Sequence, residues 1–177
     1  MTTDFSFLNA GEVTASLVVD EGGNSITAEG NSRGIGNAND LEFLLWLRTR
    51  SQIVLTSGIT AEAENYKYPA KSDLAILSNS NRNYPRLEQS LDKVRFISNT
   101  SFSEAVRKLQ EQGFERIQTE FGETGFQALA CDQIDCFLSS KSRAGIKQFL
   151  QRTELVAEET FDLSELQIAR VVGRGRN

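Results

Sequence analysis

Thr56, Ser57, Gly58 and Thr60 have the residue types and spacing to hold an anion. They lie in residues 51–65, SQIVLTSGITAEAEN. Ile53, Val54 and Leu55 form an apolar run bounded by polar residues, which predicts a short buried strand. The run breaks at Thr56 to Gly58, and helix formers follow from Thr60 to Glu64, which predicts a helical turn. At such a junction backbone N–H groups point outward and the helix dipole favours negative charge. The three hydroxyls add donors, and Gly58 lets a ligand approach the backbone closely. The chemistry suggested is a cradle for a phosphate or a dinucleotide. The same pattern also serves as a plain structural junction.

The chain contains no histidine, which removes the common catalytic triads and imidazole bases. Acid–base chemistry must then come from carboxylates, Tyr, Lys, Cys or water. Asp20 ends the first apolar strand candidate, inside the turn DEGGN, and is a turn residue or a substrate contact. Glu120 precedes a second glycine-containing strand-to-helix turn, EFGETG, where it is a surface carboxylate or lines a pocket. Residues 78–86, SNSNRNYPR, follow another strand candidate and bring Ser78, Ser80 and Arg82 to a strand's C-terminal end. In α/β sheets that is where ligands bind, and Arg suits a bidentate grip on phosphate. The alternative for this segment is a solvated loop.

Composition narrows the classes. The 177 residues carry 19 basic and 24 acidic side chains, a formal net charge of -5, which speaks against nucleic acid as the main partner. The length and the 39% hydrophobic content suit one domain with one core, taken as residues 1–177. No apolar run approaches a membrane span, and the start MTTDFSFLNAGE lacks the features of a signal peptide. Cys131 and Cys136 stand without a second pair, so no metal site is expected and two buried thiols are. Gly34-Ile35-Gly36 lacks the third glycine and the preceding strand of a dinucleotide fingerprint. The basic tail from Arg170 to Arg176 is expected to be a solvated end.

Positioning elements follow from periodicity. Strands are predicted at residues 14–20, 53–55, 73–77, 94–97, 116–119 and 134–139, with a short return strand at 25–28. Asn39 or Asp40 is expected to cap a helix running to Arg50, with Leu41, Leu44, Leu45 and Arg48 at helical spacing and Trp46 in the core. Ser101 or Ser103 caps a helix through Gln112, and residues 126–131 are helical. Residues 155–161 and 166–172 pair as antiparallel strands across a turn at 162–165. Strands alternate with helices and then pair at the end. This predicts an α/β sandwich, mainly parallel with an antiparallel edge.

Taken in order, LVVDEGG, LRT, VLTSGITAEAEN, AILSNSNR, EFGETG and FQALACDQIDCFL resemble the reductase domain of the riboflavin pathway. That domain belongs to the dihydrofolate-reductase-like family, and the correspondence runs over nearly the whole chain. The resemblance implies a three-layer α/β/α sandwich that binds NADPH across the C-terminal edge of its sheet. Thr56, Ser57, Gly58 and Thr60 would face the pyrophosphate, with Gly122, Glu123 and Thr124 closing over its other side. Ser78, Ser80 and Arg82 would sit near the adenosine 2′-phosphate, and the pocket near Asp20 and Glu120 would hold the acceptor. The implied reaction is hydride transfer like that of 5-amino-6-(5-phosphoribosylamino)uracil reductase, to a pyrimidine- or pterin-linked acceptor. A cytoplasmic homodimer is implied as well, with a small-molecule substrate and neither nucleic acid nor membrane as partner.

The sequence also departs from the family pattern. Where the family has paired glycines in the late turn, this chain has Phe121-Gly122, and the Phe121 side chain is expected to crowd a pyrophosphate. The family's Lys before the first turn is missing, and Arg33 is the candidate for gripping a substrate phosphate. The alternative function is a non-catalytic nucleotide-binding module of the same fold.

Overall fold

The computed structural model describes residues 3–132 and 134–175. Eight strands form one sheet in the order β4-β3-β2-β5-β1-β6-β8-β7. The first six are β1 (Val13–Val19), β2 (Ile53–Ser57), β3 (Asp73–Leu77), β4 (Arg95–Ile97), β5 (Ile117–Glu120) and β6 (Asp135–Ser140), all parallel to their neighbours in this set. The last two, β7 (Leu155–Leu163) and β8 (Leu166–Gly173), form an antiparallel hairpin, and β8 joins it to β6. Parallel neighbours need crossovers, which helices supply on both faces.

Alternation along the central strands divides the side chains between two layers. Ala15, Leu17 and Val19 of β1 pack with helices α3 (Phe102–Glu111), α4 (Glu123–Ala130) and α5 (Arg143–Arg152) through Leu109, Phe126 and Phe149. The opposite face carries α1 (Ala38–Arg50), which buries Phe43 and Leu47 against Phe5, Phe137 and Ile168. The same face holds the short α2 (Gly58–Ala63) and a 3-10 stretch at Pro85–Lys93, over Val54, Leu74 and Ile76. This is the expected three-layer sandwich.

Local chemistry sets the helix starts. Ser101 caps α3 by accepting from the Glu104 amide, and Ser142 caps α5 by accepting from Gly145. For α1 the cap is Asn37, not Asn39 or Asp40, and it accepts from the Asp40 amide at 3.0 Å. The buried face also differs from the expected one. Leu41 and Leu45 are exposed, while Phe43, Leu47 and the half-buried Trp46 face inward.

Several other expectations change. Residues 25–28 form no return strand; the chain there turns back on itself, with the Thr27 amide donating to the Asn31 carbonyl and the Gly30 amide to the Thr27 carbonyl. Helix α4 begins at Glu123, ahead of the expected residue 126. Helix α5, with Ile146, Phe149 and Leu150 spaced to face the sheet, was not anticipated. Cys136 is buried, but Cys131 is exposed because it ends α4 at the surface. In the tail, Arg170 is not solvated. It donates to the Leu8 carbonyl and pairs with Glu159 at 3.6 Å. Arg174 lies 3.8 Å from Glu154, and Arg176 falls outside the described residues.

Candidate functional site

A cleft of about 1040 Å³ follows the C-terminal ends of the parallel strands. It reaches from Ser139 on β6, past β1, β5 and β2, to Arg86 in the segment after β3. Four strand spacings separate β6 from β3, roughly 19 Å at about 4.8 Å each. The chain reversals at these strand ends leave the cleft open to ligands, as expected for parallel sheets.

The floor is an ion pair locked to a phenol. Arg48 on α1 donates through Nε to Glu120 Oε1 at 2.8 Å and through a terminal nitrogen to Oε2 at 2.6 Å. The Tyr66 hydroxyl donates to the same Oε2 and accepts from Arg48 at 3.0 Å. Burial alone lowers the affinity of the Arg48 guanidinium for its proton, but the charge and hydrogen bonds of Glu120 outweigh it, and its pKa stands above the usual value. Arg48 therefore does not act as an unpaired cation.

Another ion pair closes the β5–α4 side. Arg152 on α5 donates to both carboxylate oxygens of Glu123 and, at 2.6 Å, to the Gly23 carbonyl. Ser25 and Gln127 also donate to Glu123, each at 3.1 Å. Arg152 is the main reason the Glu123 carboxyl is held below its usual range. The loop that follows β1 is thus tied to α4 and α5. It is tied to α2 as well, where the Ser32 amide donates to Glu64 at 2.6 Å.

Asp40 is the chemically distinct carboxyl. It sits in the first turn of α1, faces the cleft, and accepts from the Ser139 hydroxyl. Burial pushes its pKa above the usual carboxylate range, against the opposing effects of the Ser139 hydrogen bond and the Lys141 charge. A carboxyl so placed can hold a proton and release it to a ligand.

The expected site residues divide. Glu120, Ser57, Thr60, Gly122, Glu123 and Thr124 line the one cleft. Thr56 is fully buried and donates to the Glu120 carbonyl at 2.7 Å. Gly58 is buried beneath Ser78 and Tyr84, so a Cβ there would stand 2.9 Å from the Tyr84 hydroxyl. Ser78 donates to the Ser80 carbonyl at 2.8 Å, and Arg82 pairs with Glu62 at 2.7 Å. Ser78, Ser80 and Arg82 do not line the cleft.

Asp20 also stays off the cleft wall. Its carboxylate accepts from the Asn24 amide at 2.8 Å and from the Asn24 side chain, closing the turn on itself. Its small burial acts to raise the pKa, and the hydrogen bonds from Asn24, Gly22 and Gly23 more than offset this. Arg33 belongs to the loop after β1 and is not part of the cleft lining.

Phe121 lines the cleft beside Gly122. Its ring is buried against Phe102, with centroids 4.8 Å apart, and it fills the place where a Cβ at Gly125 would collide. Gly122 then starts α4 at φ 77 and ψ -173, and no side chain caps the helix. The opening amides of α4 are therefore uncapped beside Thr60, whose hydroxyl lies 3.4 Å from a Cβ built on Gly122. Glu123 would repel an anion there, but it is neutralised by Arg152. These residues fit a pyrophosphate group.

Tyr66, Ser139 and Arg152 carry no site signal in the sequence, and Asp40 is expected there only as a helix cap. Arg48 gave the clearest signal, a charged residue at the apolar spacing of a helix. No group of His, Cys, Asp and Glu suited to a metal ion occurs among the described residues. None of the described helices is long and apolar enough to cross a membrane.

No protein-family model matches the chain, and no curated protein matches it in sequence. Solved structures do match. A pyrimidine reductase-like protein from Corynebacterium diphtheriae is 19% identical with a TM-score of 0.63, over 97% of this chain and 95% of that one. RibD from Acinetobacter baumannii is 14% identical with a TM-score of 0.70, over 93% of this chain and 58% of that one. A Thermotoga maritima diaminohydroxyphosphoribosylaminopyrimidine deaminase/5-amino-6-(5-phosphoribosylamino)uracil reductase is 14% identical with a TM-score of 0.64, over 94% of this chain and 58% of that one. At these identities the likeness establishes the fold, which is that of the pyrimidine reductase-like proteins. The chain spans little more than half of the latter two proteins.

Proposed function

We propose that this chain is an NADPH-dependent reductase acting on a pyrimidine- or pterin-linked acceptor. The reaction would resemble that of 5-amino-6-(5-phosphoribosylamino)uracil reductase. The supporting observation is the meeting, in one cleft, of a buried carboxyl held by the Ser139 hydroxyl and an uncapped helix start. Bound NADPH supplies a hydride, and the protein supplies position and a proton. The amides of Glu123 and Thr124 would hold the pyrophosphate. The Thr60 hydroxyl, set by the Ser57 hydroxyl at 2.9 Å, would reach it as well. Gly122 lets the ligand close on the backbone, while Thr56 and Gly58 shape the junction beneath. The segment carrying Ser78, Ser80 and Arg82 lies on the adenosine side.

On the acceptor side, Asp40 would give a proton to the acceptor's nitrogen or oxygen. Ser139 orients Asp40, and Glu120, kept charge-neutral with Arg48, offers its remaining lone pairs to the ring. Asp20 supports the site through its turn. A cytoplasmic homodimer joined along a sheet edge completes the reading.

The test is titration of the protein with NADPH and NADH by nicotinamide fluorescence, then NADPH oxidation with pyrimidine and pterin acceptors. Asp40→Asn should keep cofactor binding and lower turnover by about 10²–10⁴-fold. Because the Asp40 pKa is raised on folding, this group favours folding at acid pH and opposes it once pH exceeds the folded pKa. Asp40→Asn should therefore be more stable than wild type at neutral pH, with the advantage shrinking as pH falls toward the unfolded value of 3.8. No binding of either nucleotide would end the reading. Binding without oxidation by any acceptor would favour the nucleotide-binding module instead.

A further inference from the structure

Four cations line the cleft: Arg48, Lys67, Arg86 and Arg152. Two are already committed, Arg48 to Glu120 and Arg152 to Glu123. Recruiting Arg48 for a ligand phosphate would strand the buried Glu120, and recruiting Arg152 would leave the half-buried Glu123 without its cation. Lys67 and Arg86 are exposed, and their side chains make no hydrogen bond or ion pair among the described residues. Arg82, the arginine singled out for the adenosine side, is committed elsewhere. It donates to Glu62 Oε2 at 2.7 Å, and the Asn83 amide holds Glu62 Oε1 at 3.1 Å.

Arg86 is placed firmly for a surface residue. Pro85 precedes it and opens the 3-10 stretch, while Tyr84 and Leu87 on either side are buried in the α2-side core. Tyr84 lies against Gly58, so the backbone carrying Arg86 is pinned to the β2–α2 junction. The segment follows β3, at the end of the cleft away from Asp40 and Ser139. With the reacting groups at the β6 end, the adenosine half of a dinucleotide falls at the β3 end.

We infer that Arg86, not Arg82, recognises the 2′-phosphate of the cofactor and sets the preference for NADPH over NADH. The inference rests on the reductase reading above. A guanidinium with no competing carboxylate keeps its full fork of donors for a phosphate, whereas Arg82 would first have to leave Glu62. Lys67 adds charge to the cleft without that fork geometry.

The experiment measures the NADPH and NADH dissociation constants of wild type, Arg86→Ala, Arg86→Lys and Arg82→Ala. Arg86→Ala should weaken NADPH by about 10–100-fold and leave NADH within about twofold. Arg86→Lys should restore part of the preference, since charge survives and the fork does not. Arg82→Ala should leave the NADPH-to-NADH ratio unchanged. An unchanged ratio in Arg86→Ala, or a ratio that collapses in Arg82→Ala instead, would overturn the inference and leave the reductase reading standing. Wild type that binds neither nucleotide would remove both.

Discussion

The β2–α2 and β5–α4 junctions lie side by side at the same sheet edge, yet they treat their backbone donors in opposite ways. At β2–α2, Ser57 caps the Thr60 amide at 3.1 Å, Thr56 is spent on the Glu120 carbonyl, and Gly58 is packed under Tyr84. At β5–α4, Gly122 leaves the helix uncapped, and the neighbouring acids are paired with Arg48 and Arg152. The β2–α2 junction is rich in donors that it uses itself. The β5–α4 junction has fewer hydroxyls in its sequence but leaves its opening amides without a side-chain cap. Donor content and donor commitment therefore differ between the two junctions, and only uncommitted donors are open to a ligand.

The comparison can be strained most by removing Glu120. Its loss leaves the partly buried Arg48 guanidinium and the Tyr66 hydroxyl without their shared acceptor. Glu120→Ala should cost about 2–4 kcal/mol, lowering Tm by roughly 5–15 °C. Adding Arg48→Met should recover much of that loss, because the stranded charge goes with it. A loss below about 0.5 kcal/mol in urea melts would mean that water screens the pair as it does on an open surface.

Gly122 bears on the comparison more directly. Its φ of 77 with ψ of -173 lies in a region essentially closed to residues with a Cβ. Gly122→Ala should cost about 1–3 kcal/mol of stability. It should also weaken NADPH by at least about tenfold, since the turn must move where the pyrophosphate would sit. Unchanged affinity in a folded Gly122→Ala protein would shift the anion site away from α4.

The fold was legible because its signals are local and repeated. DLAIL is the observed β3 residue for residue, and the hairpin falls where its turn residues stand. Helix α5 lies outside the expected elements, although Ser142 and the Ile146–Phe149 spacing mark a capped helix. The site was half legible. Glycine turns at strand ends could be found from order alone, which gave Gly122, Glu123, Thr124 and Thr60. What local pattern could not give was partnership across the chain. Asp40 meets Ser139 and Arg48 meets Glu120 only after the sheet brings distant strands together, and only then does Phe121 find its space beside Gly125.

The smallest test concerns the junction that keeps its donors busy. Ser57→Ala removes the acceptor for the Thr60 amide and the donor to the Thr60 hydroxyl. As the loss of an N-cap it should cost about 1 kcal/mol of stability. Its effect on NADPH affinity should stay within about threefold, because the Ser57 hydroxyl is directed at Thr60 rather than at the ligand. Gly122→Ala should instead lose both, with at least about tenfold in NADPH affinity against the threefold ceiling for Ser57→Ala. If Ser57→Ala instead lost binding with no change in the urea midpoint, the capping bond would be idle in solution and the β2–α2 junction would be the one that holds the phosphate.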